Sequence, residues 1–74
     1  PLKITLENKI SLFMQHLYNL KELEDEFKAV LQSKSLIRYY FKSNLEKQHL
    51  DLFYQLHSLK DIHLFLHNLL LNNQ

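Results

Sequence analysis

The stretch LEKQHLDLFYQLHSLKDIHLFLHNLLL, Leu45 to Leu71, carries the clearest periodicity in the chain. Leu45, Leu52, Leu59 and Leu66 recur seven apart, and His49, Leu56, His63 and Leu70 follow each of them by four. Alternating steps of four and three form a heptad repeat, which keeps one seam of an α-helix facing a neighbour. Ser43-Asn44-Leu45-Glu46 stands at its start. Serine and glutamate three apart form a capping box, in which each side chain satisfies an N–H left free at the helix start. The pattern predicts a helix over about Asn44 to Leu71, about 40 Å long at the usual rise per residue. Asn72 and Asn73 are its expected stop.

A second stripe lies upstream at Leu6, Ile10, Phe13, Leu17, Leu20, Glu24, Phe27 and Leu31, with Thr5 placed to cap it. Leu23 and Val30 widen this stripe. It predicts a first helix over about Leu6 to Gln32, matched in length to the last one. The connector SKSLIRYYFK, Ser33 to Lys42, would put Lys34 and Arg38 in the seam, so the stripe fails there. A new apolar face, Leu36, Ile37, Tyr40 and Phe41, predicts a short helix over about 35–42 capped by Ser33 or Ser35. The alternative is that the first helix continues to Phe41 with its face rotated. Either way the expected fold is all-α: an antiparallel helical hairpin of two long helices joined by a short helix.

Composition supports the class. The 74 residues contain no glycine, and proline occurs only at Pro1. The tight turns of β-hairpins are therefore poorly served. Leucine, a strong helix former, accounts for 18 residues. There is no cysteine, so no disulfide can brace so small a chain. A net charge of +1 gives no electrostatic case for a nucleic-acid or membrane partner. An intracellular location, cytoplasmic or nuclear, is expected from the missing cysteines. The absence of an initiating methionine suggests a segment of a larger protein.

The last helix, as predicted, is apolar on more than one face. Besides its seam it carries Tyr54, Ile62, Phe65 and Leu69 on one flank and Leu50, Phe53, Leu64 and Leu71 on the far side. A hairpin buries one stripe per helix, and a helix apolar nearly all round is normally buried nearly all round. The surplus predicts association into a four-helix bundle or coiled-coil-like oligomer, a homodimer first, or an obligate helical partner. The expected partner-binding residues are Phe53, Leu56, Leu59, Ile62, His63, Phe65, Leu66 and Leu69. The expected function is protein–protein interaction, as an oligomerisation or scaffold-docking module. A groove holding a partner helix is a variant of the same reading.

Residues that might carry chemistry are sparse. His63 and His67 have the i, i+4 spacing of a metal-ligand pair, but Leu64 stands where the zinc-protease motif needs glutamate. His63 reads instead as a polar break in the seam, with association loosening as it gains a proton in acid. Glu24, the polar seam position of the first helix, is expected opposite His49. Glu22, Glu24, Asp25 and Glu26 read as a solvated face with Lys21–Asp25 and Glu24–Lys28 pairs. Ser58, His57 and Asp61 share one helix surface with no oxyanion hole in prospect. No catalytic residue, metal or cofactor is expected, and the chain is not expected to be an enzyme. The competing reading is a small nucleic-acid-binding module using Lys34, Arg38, Lys42 and the neighbouring Tyr39. Three cations neutralise only about three phosphates, which disfavours it.

Overall fold

The computed structural model describes residues 4–72. The chain is all-helical, with four helices and no strand among the described residues. These are α1 (Leu6–Leu23), α2 (Glu26–Tyr40), α3 (Lys47–Phe53) and α4 (Leu59–Asn72). Neither predicted 40 Å helix exists: both long stretches are broken, and the longest dimension of the fold is 33 Å.

The first break falls at Glu24 and Asp25. Thr5 opens α1 as expected, its hydroxyl accepting from the Asn8 N–H at 3.1 Å. The stripe Ile10, Phe13, Leu17 is buried, together with Met14. At Glu24 the backbone leaves the helix, and Asp25 is extended. The Asp25 carboxylate then accepts from the Lys28 N–H at 2.7 Å and caps α2. An unbroken helix would crowd Glu22, Glu24, Asp25 and Glu26 into little more than one turn. The break places Asp25 and Glu26 at the positive end of a new helix instead.

The break also turns the chain back on itself. The start of α1 meets the end of α2: Lys9 Nζ donates to Asn44 Oδ1 at 3.1 Å, and the Phe13 ring lies edge-on to Tyr40 and Phe41 at 5.2 and 5.3 Å. The antiparallel hairpin thus closes at residues 24–25, not at the predicted connector, Ser33 to Lys42. The connector is not a separate helix. Ser33 and Ser35 lie inside α2, and buried Ser33 donates to the Val30 carbonyl at 2.6 Å rather than capping anything. Restarting the helix rotates its buried face. Ala29, Val30, Ser33 and Ile37 point inward, while Phe27 and Leu31, expected in the seam, are exposed.

The second break spans residues 54–58. The Ser43–Glu46 capping box is replaced by one turn further on: the Glu46 N–H donates to His49 Nδ1 at 3.3 Å. The Ser58 hydroxyl accepts from the Asp61 N–H at 3.1 Å and opens α4. The Glu26 carboxylate accepts from the Leu59 N–H at 2.9 Å, which places the start of α4 beside the start of α2. With Tyr18 of α1 edge-on to His63 of α4 at 6.4 Å, α4 runs antiparallel to α1. Asn73, half of the expected stop, lies outside the described residues.

One core joins all four helices. Phe13 and Leu17 of α1, Ile37 of α2, Phe41, Phe53 of α3, and Leu59, Ile62 and Leu66 of α4 are almost fully enclosed. Phe53 packs edge-on to Phe65 at 5.6 Å. Breaking the last stretch into α3 and α4 lets apolar residues from several of its faces enter one core, which a straight helix could not do.

Candidate interaction surface

The eight expected interface residues separate by burial. Phe53, Leu59, Ile62, Leu66 and Leu69 lie in the chain's own core. Leu56 and Phe65 are partly buried and pack against it. His63 is exposed, beside Tyr18 of α1. The apolar surplus inferred for a straight helix is therefore largely absorbed within the chain, and the argument that it needs a partner there falls away.

Leu52, Leu64 and Leu71 of the last stretch are each about half exposed, and the more exposed Leu23 and Phe27 lie elsewhere. Leu23 and Phe27 are 83% and 72% exposed and flank the 24–25 break. Leu31, one turn beyond Phe27 on α2, is half exposed. Beside them is an open groove of about 290 Å³ lined by Leu20, Glu24, Lys28, Leu31 and Gln32. Lys28 Nζ donates to Glu24 Oε2 at 2.8 Å within this groove. The hydrogen bond and charge of Glu24, with a smaller effect from Asp25, hold the Lys28 ammonium above the ordinary lysine value of 10.5. Glu24 therefore has a partner on its own chain and does not meet His49, which accepts from the Glu46 N–H.

This surface exists because the helix restarts. In a continuous helix Phe27 and Leu31 would share the seam with Leu20. Capping at Asp25 turns that seam outward and leaves an apolar end with one ion pair across it. Periodicity could not reveal this, since the stripe runs through the break in step.

Two other clusters bear on the sequence reading. His63 and His67 line a groove of about 290 Å³ with Tyr18, Lys60 and Leu64. No third ligand joins them: among the described residues no group of three or more metal-binding side chains converges. Of the basic segment, Arg38 and Lys42 line a shallow groove with Phe41, Leu45 and Leu50. Lys34 is partly buried, and Tyr39 is 86% exposed, turned about 100° from Arg38 around α2. The cations near the end of α2 also offset its negative pole, a structural reason for their presence. A polar cleft of about 320 Å³ between α3 and α4 is lined by Asn44, Glu46, His49, Phe65, Asn68, Leu69 and Asn72.

Among the described residues no helix is long and apolar enough to cross a membrane. Comparison with protein-family models, with curated proteins and with solved structures finds no match for this chain.

Proposed function

We propose that the chain is a protein–protein interaction module, serving oligomerisation or scaffold docking, and that it docks through the α1–α2 end rather than through the last helix. The observation that carries this reading is the exposure of Leu23 and Phe27, at 83% and 72%. Two large apolar side chains beside a groove lined in part by Leu20 and Leu31 are the kind of patch that marks an interaction site. An aromatic anchor next to a pocket is also the usual centre of binding energy in an interface.

Site-specific photo-crosslinking tests this. A photoreactive residue in place of Phe27 should give a discrete crosslinked species in cells, and one in place of Gln48 on α3 should not. Equal labelling from both positions, or none from position 27, opposes the reading. The nucleic-acid alternative rests on exposed Tyr39 and the Arg38–Lys42 groove. It predicts binding to single strands that weakens steeply with salt and is lost in Arg38→Ala.

A further inference from the structure

We propose that the partner of this end is a second copy of the chain, held in an isologous contact. In that contact Phe27 of each copy enters the groove of the other, and Glu24 of each meets Lys28 of the other. This rests on the docking reading above and adds the identity and geometry of the partner.

Three observations converge on a second copy. The first is that knob and hole lie side by side on one surface. Phe27 is exposed one turn from Leu31, which lines the groove together with Leu20, Glu24, Lys28 and Gln32. A twofold axis between them lets two copies fill each other's groove at once, as an isologous interface requires.

The second is charge. The groove holds one anion and one cation, Glu24 and Lys28, exposed enough to change partners, with side-chain exposures of 47% and 58%. A twofold operation sets Glu24 against Lys28 twice. A partner of a single charge sign, such as a nucleic acid or an acidic peptide, would meet a like charge in the same groove. Unlike-charge juxtaposition favours an encounter and like-charge juxtaposition suppresses it.

The third is size. At their observed exposures, Leu23, Phe27 and Leu31 offer on the order of 300 Å² of apolar surface. One face of a standard stable interface carries about 450 Å² of non-polar area. The ridge is thus too small for an obligate partner and of the right order for a weak, reversible dimer.

The test is sedimentation of the full chain over a wide concentration range, with helicity checked by circular dichroism. Wild type should pass from monomer to dimer, and Phe27→Ser should weaken the dimer about tenfold or more. Glu24→Lys and Lys28→Glu should each weaken it as well. An equimolar mixture of those two variants should recover dimer as the heterodimer. Both variants lack the internal ion pair, so recovery in the mixture can come only from pairing between copies. A wild type that stays monomeric at high micromolar concentration overturns the self-association. The docking reading then stands or falls separately, on crosslinking from position 27 to another protein. A dimer indifferent to Phe27→Ser, or one that the mixture fails to recover, overturns the geometry.

Discussion

Phe53→Ala and Phe27→Ala are the same chemical change at two sites that the structure treats oppositely. Phe53 is fully enclosed and edge-on to Phe65 at 5.6 Å, whereas Phe27 is 72% exposed. Removing the Phe53 ring withdraws on the order of 150 Å² of buried aromatic surface, about 4 kcal/mol at ~25 cal/mol per Å². The lost edge-on contact adds about 1 kcal/mol. Their sum falls within the usual cost of about 3–5 kcal/mol for a buried phenylalanine truncation. A domain of this length has a total stability of about 4–11 kcal/mol. The Phe53 variant should therefore lose about half of its stability or more. The Phe27 variant should lie within about 0.5 kcal/mol of wild type. Urea unfolding followed by circular dichroism measures both. It is run at low micromolar protein, where association does not contribute, and repeated at a tenfold higher concentration. The Phe53 loss should be independent of concentration, because the ring is buried within one chain. A loss below about 1 kcal/mol, or one that varies with concentration, would refute the burial of Phe53 in its own core. An equal loss from Phe27→Ala would refute the outward rotation of α2.

Asp25→Ala removes the cap of α2 and should cost about 1 kcal/mol in the same denaturation assay, with faster exchange of the Lys28 amide. Glu26→Ala frees the Leu59 N–H that its carboxylate holds at 2.9 Å. It should cost about 1–2 kcal/mol, with exchange of the Leu59 amide accelerated selectively. Lys28 should titrate by NMR above 10.5, and Glu24→Gln should bring it back towards that value. Because the folded value is raised, the stabilisation from this pair is fully present below the unfolded lysine value. It is lost as pH rises through the folded one.

The helical class and the first cap were legible because they depend on local properties. The absence of glycine and the wealth of leucine exclude most alternatives to helix, and Thr5 is the last polar residue before a strong stripe. The Glu24–Lys28 pair expected from helical spacing also forms, but it bridges the break, from the C-cap of α1 to the first turn of α2. The breaks were not. A heptad pattern records which residues are apolar, not whether the backbone between them stays helical. The stripe through Leu20, Glu24, Phe27 and Leu31 keeps its spacing across a cap that ends one helix and begins another. Glu24 is the available hint: a carboxylate at a seam position, it marks the end of α1. Likewise Ser58, three residues before Asp61, is a helix-start signature inside the long C-terminal pattern. It went unused because the leucine spacing ran through it.

The misread breaks explain the misplaced surface. A straight helix cannot bury both Phe53 and Leu66 in one core, so its apolar surplus seemed to require another chain. Folding α3 and α4 separately reduces that surplus to the half-exposed Leu52, Leu64 and Leu71, while Leu23 and Phe27 at the α1–α2 end are left more exposed. Chain reversal at Asp25 is a tertiary choice. It is favoured by burying Phe13 against Tyr40 and Phe41, residues far away in sequence, and no local pattern records that gain.

Phe53, Leu59, Ile62 and Leu66 serve the chain's own core, and the α1–α2 end is the surface proposed to meet a second copy. The most direct measurement is a dilution series of ¹H–¹⁵N NMR spectra of the intact chain, from high to low micromolar concentration. The account predicts concentration-dependent shifts confined to Leu20 through Gln32, with Leu59, Ile62, Leu66 and Leu69 unmoved. Shifts concentrated on α4, or a spectrum that does not change on dilution, would contradict it.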